Sequence, residues 1–93
     1  MNLIRILIGI MLTAFLLTAA GEVSDDRIYD EVRLKLSADR EVRGAAIEVK
    51  VSDGIVELSG KVRTEKARSR AEKVTKKVKG VQKVINKLTV PAT

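Results

Sequence analysis

The sequence contains no cysteine and no histidine. No disulfide can brace the fold, and the usual general base, thiolate nucleophile and soft metal ligands are missing. Aromatic residues are nearly absent too: one Phe, one Tyr and no Trp. After the first 21 residues only Tyr29 remains, so no set of rings is available to stack nucleic-acid bases on a sheet. There is no glycine-rich phosphate loop of the Walker or Rossmann type. Ser24, Ser37, Ser52, Ser59 and Ser69 have no visible base to activate them. Asp26 and Asp30 lie one helical turn apart, but two carboxylates are too few for a calcium site. No catalytic residue, metal site or cofactor is expected, and the chain is not expected to be an enzyme.

What is present divides the chain into two parts. Met1 to Arg5 carries one positive charge, Ile6 to Ala20 is uncharged and mostly apolar, and small residues follow. This is the layout of a secretory signal peptide, with cleavage expected near Gly21. Fifteen helical residues span only ~22 Å, short of a ~30 Å hydrocarbon core. The alternative is an uncleaved segment that anchors the chain to the inner membrane. A lipoprotein would need a cysteine at this junction. Residues 1–21 are therefore read as signal or anchor, and residues 22–93 as a single periplasmic domain.

The domain's clearest local feature is a hairpin. Ile47, Val49 and Val51 alternate onto one face, as do Val56, Leu58 and Val62. A three-residue loop (Ser52, Asp53, Gly54) would set Val49 opposite Glu57. A two-residue Asp53-Gly54 loop pairs Val51 with Val56, Val49 with Leu58 and Ile47 with Gly60, and sets Lys50 opposite Glu57 outside. Only the second register buries the valines together, and Asp-Gly suits a type I′ turn.

Helices flank the hairpin. Ser24 is a good N-cap before Asp25 and Asp26, with Ile28, Val32 and Leu36 on one face. Residues 37–44 form a connection from which Val42 dips toward the core. Thr64 caps a second helix, with Glu65 in its first turn and Ala67, Ala71, Val74 and Val78 as its stripe. That stripe is small, so the helix should lie close to the sheet. Gly80 fits the position just past the helix end. A last strand, Val81 to Val90, turns Val84, Leu88 and Val90 inward, with Asn86 as a polar break, and Pro91 ends it. Asn86 is expected to satisfy a nearby backbone group, such as one in the 37–44 connection. Gly60 is expected to give a helix or side chain room, or to mark a bulge. Tyr29 should be partly exposed.

The order is α-β-β-α-β, an α+β fold. At this point the chain resembles the BON domain of bacterial envelope proteins. The matching residues are Asp26-x-Ile28, Val32, Leu36, then Ile47-x-Val49-x-Val51-x-Asp53-Gly54-x-Val56-x-Leu58-x-Gly60-x-Val62. They continue with Ala71 and Gly80-Val81-x-x-Val84-x-Asn86-x-Leu88-x-Val90. The resemblance covers essentially all of the chain after residue 21. It implies two helices packed on one face of a three-stranded mixed sheet, and a role at phospholipid membranes. Links to stress response and to transport rest on the family alone. Many members carry two such domains, and this chain has room for one.

Charge is divided as sharply as the fold. Residues 22–60 hold six Lys/Arg against ten Asp/Glu, a net −4, and residues 61–93 hold eleven against two, a net +9. Lys66, Arg70, Lys73, Lys76, Lys77 and Lys79 gather on the outer face and end of the second helix, with Arg68 nearby. Such a face is either simply solvated or a site for an anionic partner. The partner expected is an anionic phospholipid surface, since basic residues there contribute ~1 kcal/mol each, screened by salt. The alternative is a protein-interaction module that meets an envelope protein or a second copy through the sheet face or an edge strand. Nucleic-acid binding, suggested by a pI near 9.9, is set aside because stacking rings are missing and the chain is exported. Asp53, Gly54, Gly60 and Gly80 are assigned to turns and packing. A small aliphatic core of this kind rarely supplies more than about 3–5 kcal/mol, so a modestly stable domain is expected, or one that gains stability from a membrane or partner.

Overall fold

The computed structural model describes residues 23–92. The signal or anchor assigned to residues 1–21 lies outside the described residues. Helix α1 spans Asp25–Ala38, strands β1 and β2 span Ala46–Ser52 and Ile55–Lys61, helix α2 spans Glu65–Lys76, and strand β3 spans Lys83–Thr89. The sheet order is β1-β2-β3, with β1 antiparallel and β3 parallel to the central β2. Both helices cover one face, as expected.

The hairpin takes the two-residue register. Val51 faces Val56, Val49 faces Leu58, Ile47 faces Gly60 and Lys50 faces Glu57. Asp53 (φ 51°) and Gly54 (φ 78°) both adopt positive φ, as a type I′ turn requires. β2 then passes through α2 to reach β3, which sets Val56 beside Val84, Leu58 beside Asn86 and Gly60 beside Leu88. Val49, Val56, Leu58 and Leu88, with Ile28, Val32, Leu36, Val42, Val62, Ala67, Ala71, Val74 and Val78, make one core, and Val84 packs against it. Among the described residues, the core and the side chains packed against it run from Val23 to Val90. Both helices carry their own N-caps, Ser24 and Thr64. The described residues thus carry a shared core and a cap at the start of each helix. The buried hydroxyl of Thr75 donates to the Ala71 carbonyl at 2.8 Å.

Three local expectations need correction. α2 ends at Lys76 with Lys77 as its C-cap, so Gly80 is not the residue just past the helix. The chain first turns Val78 inward (7 % exposed), and only then passes through a second turn in which the Val81 amide donates to the Val78 carbonyl. Gly80 (φ +95°) belongs to that second turn, against Val23 and Ile28. Gly60 neither marks a bulge nor makes room for a helix. Pairing runs unbroken through it, and the Ala46 carbonyl of the adjacent strand occupies the space where a Cβ would stand. Asn86 does not reach the 37–44 connection. Its Nδ2 donates to the Arg68 carbonyl on α2 at 3.0 Å, and its Oδ1 accepts from the Leu88 amide at 3.1 Å. The crossover brings α2 over β3, which puts the helix nearer to Asn86 than the connection is.

Asn86 also has a consequence for the sheet edge. The Val62 amide donates to the Thr89 carbonyl, so odd-numbered residues of β3 address β2 and even-numbered ones address the outside. Leu88 is one of the outward residues. Its amide is taken by Asn86 and its carbonyl by Arg68 Nε at 3.0 Å. Two side chains thus close this part of an edge that would otherwise be free to pair.

Candidate functional site

α2 is the element that carries the basic cluster. Its N-terminus is set by Thr64, whose Oγ1 accepts from the Ala67 amide at 3.0 Å. Ala67, Ala71, Val74 and Thr75 turn to the core. The 3.6-residue repeat then sends the long basic side chains outward, and Lys66, Arg70, Lys73, Lys76, Lys77 and Lys79 are all exposed.

The structure divides these six residues into two groups. Lys66 meets Glu41 at 3.2 Å, Arg70 meets Asp39 at 2.7 Å and Lys76 meets Glu72 at 3.0 Å. Among the described residues, Lys73, Lys77 and Lys79 have no acidic partner. Lys73 and Lys77 stand one helical turn apart, and Lys79 follows in the turn after the helix. Arg68 leaves the outer face for the sheet edge, with Glu65 on its other nitrogen at 2.7 Å. The strongest of these pairs is Asp39 with Arg70: the Asp39 side chain is only 9 % exposed, and it also accepts from the Glu41 amide at 3.0 Å. This pair ties α2 to the end of α1. Glu41 and Asp39 were not recognisable in the sequence as partners of the basic helix. Glu72–Lys76 was, as an i,i+4 pair.

The paired carboxylates respond to the charge around them. Partial burial pushes the Asp39 carboxyl up. The hydrogen bond from Arg70, the Glu41 amide and the Arg70 charge outweigh that and hold it below the usual range. Glu57 is lowered by the hydrogen bond and charge of Lys87 on the outer sheet face. Glu72 is lowered by its hydrogen bond from Lys76, against a smaller opposing effect of burial. All three have folded-state pKa values below their unfolded ones, so their contribution is fully present above the ordinary carboxylate range. It is lost as pH falls through the lowered values. The melting temperature is therefore expected to stay level from neutral to about pH 5 and to fall below that. Asp39→Asn should flatten part of the acid limb. A melting temperature independent of pH down to about 3 in thermal scans followed by circular dichroism would contradict this assignment.

Among the described residues no cluster of three or more carboxylates could hold a metal, and no helix is long and apolar enough to cross a membrane. Asp26 and Asp30 both lie on the exposed side of α1. Tyr29 is 37 % exposed, and the Arg33 guanidinium lies 5.7 Å from its ring centre.

Comparison with known proteins gives a concordant result. The family model described as "BON domain" matches residues 24–92. The curated Osmotically-inducible protein Y of Escherichia coli (strain K12) is 38 % identical to this chain over 68 residues. That match covers 73 % of this chain and 34 % of the relative, so the chain spans about a third of the length of the curated relative it matches.

Proposed function

Because this chain belongs to the BON domain family, we propose that it is a non-enzymatic binding module of the cell envelope that docks on anionic phospholipid surfaces. The observation that carries this reading is the set of three exposed lysines without acidic partners, Lys73, Lys77 and Lys79, at the C-terminal end of α2. Lys66, Arg70 and Lys76 line the same helix but are already neutralised by Glu41, Asp39 and Glu72, and they contribute less. Three lysines at an anionic bilayer supply about 3 kcal/mol, which gives weak and reversible attachment. With a Debye length near 8 Å at physiological salt, that attachment weakens as salt rises. The module works on the periplasmic side, delivered by residues 1–21, and subcellular fractionation of the full chain tests that location.

The test of lipid docking is vesicle co-sedimentation of residues 22–93 with phosphatidylglycerol against phosphatidylcholine. Binding is expected only to the anionic vesicles and only weakly at physiological salt. Combined Lys73→Glu, Lys77→Glu and Lys79→Glu should lower it by about 100-fold or more. Lys66→Glu should lower it less. Unchanged binding in the triple variant would reject α2 as the docking face, and a folded domain that ignores anionic vesicles at low salt would reject the function.

A further inference from the structure

The two edges of the sheet are not alike. The β3 edge is closed at Leu88 by Asn86 and Arg68. Among the described residues, no side chain closes the β1 edge in this way. Even-numbered residues of β1 pair with odd-numbered residues of β2, and a two-residue turn makes Ser52 and Ile55 the bonded closing pair. Ile47, Val49 and Val51 therefore aim their backbone groups away from the sheet. Among the described residues only the Ile47 amide has a partner there, the Ala45 carbonyl at 3.1 Å. A row of open donors and acceptors over a short valine-rich strand is a template for another strand.

The side chains of β1 indicate which strand fits. We infer that β1 pairs antiparallel with β1 of a second copy of this chain, centred on Val49, joining two three-stranded sheets into one. In that register Val49 faces Val49 of the other copy, and Ile47 faces its Val51 on the core side. The outward backbone groups of these three residues meet one another directly. On the open face Glu48 lands opposite Lys50 and Lys50 opposite Glu48. Both side chains are well exposed, at 66 % and 70 %, and their contact within one strand is a loose 3.9 Å, so they are free to turn to a partner. The neighbouring registers that keep the same residues facing outward fail on charge. A two-residue shift in one direction stacks Glu48 on Glu48, and in the other Lys50 on Lys50, and like charges directly opposite destabilise a pair. The strand is self-complementary in one register and self-repelling in the registers next to it. A two-fold antiparallel interface is also the closed arrangement that a protein of one chain type forms most readily.

This inference does not depend on lipid docking, which uses α2. The test is sedimentation equilibrium of residues 22–93, without lipid, from micromolar to millimolar concentration. The expected result is a monomer–dimer equilibrium. Glu48→Lys alone, or Lys50→Glu alone, should weaken the dimer by about tenfold or more, because each puts like charges opposite at two symmetric places. The double swap Glu48→Lys with Lys50→Glu should restore association to about the parent level. All three variants alter exposed positions, and circular dichroism checks that they fold. A folded monomer throughout the concentration range overturns the inference. So does a dimer indifferent to the single swaps, and so does a double swap that fails to recover.

Discussion

Gly60→Ala is expected to remove the cooperative unfolding transition of this domain, or to lower its melting temperature by more than about 15 °C. Three constraints meet at this residue. Its φ of +116° lies where side chains are rarely accommodated. A Cβ there would overlap the Ala46 carbonyl oxygen outright and would lie 3.2 Å from the Ala46 carbonyl carbon and 3.4 Å from Ile47 Cα. These are backbone atoms, so no side-chain rotation relieves the clash. Nor can the strand move aside. Gly60 sits on the central strand, paired with Ile47 on one side and Leu88 on the other, and its carbonyl also accepts from Thr89 Oγ1 at 3.3 Å. Relief requires opening one ladder. Backbone strain of ~1–3 kcal/mol plus lost pairing approaches the whole stability of a core this small, about 3–5 kcal/mol. Ser59→Ala, one residue earlier and turned to the other face, should stay within about 0.5 kcal/mol of the parent. Urea unfolding followed by circular dichroism measures both. A Gly60→Ala variant that unfolds cooperatively within about 1 kcal/mol of the parent would mean that β1 yields at Ala46 without consequence.

The contrast between Gly60 and the hairpin turn shows which parts of this fold are legible in the amino-acid order. The register follows from local pattern. Period-two alternation decides which side chains are buried, and only a two-residue loop brings the buried faces together with Lys50 opposite Glu57, so the pairing could be derived without coordinates. Helix starts are local in the same sense: Ser24 and Thr64 act on amides three residues away. The reason for Gly60 is not local, because the atom that excludes a side chain belongs to the neighbouring strand. Asn86 was recognisable as a polar residue on an inward face, but its partner sits 18 residues away on a helix whose placement depends on the crossover. The candidate site behaves likewise. The basic face of α2 is evident from the sequence, whereas its reduction to three unpaired lysines depends on where residues 39–41 end up relative to α2. Side chains that bridge elements depend on how the elements are placed and are the least visible beforehand.

Asp25 is the most consequential of these bridges. From sequence it reads as a carboxylate in the first turn of a helix, where the dipole favours it. In the fold its two oxygens accept from the Asp53 amide at 2.8 Å and the Gly54 amide at 3.0 Å. The N-terminus of α1 is thereby fixed to the tip of the hairpin 28 residues along the chain. The type I′ turn leaves these two amides pointing out together, and a carboxylate takes both at once. Asp25→Ala should therefore destabilise the domain by about 2 kcal/mol, less than two fully buried charged hydrogen bonds would suggest because the site is only half covered. Asp26→Ala isolates the cause. Asp26 shares the first turn but has no hydrogen bond to the hairpin among the described residues, so its loss removes only the dipole term, about 0.3–1 kcal/mol. Asp25→Asn, which keeps one carboxamide oxygen as acceptor, should fall between the two alanine variants. Equal effects of Asp25→Ala and Asp26→Ala in urea titrations would reduce Asp25 to a helix-end charge. A clear excess at Asp25, with faster amide exchange at Asp53 and Gly54, would establish that the first helix is held onto the sheet at its far end by one side chain.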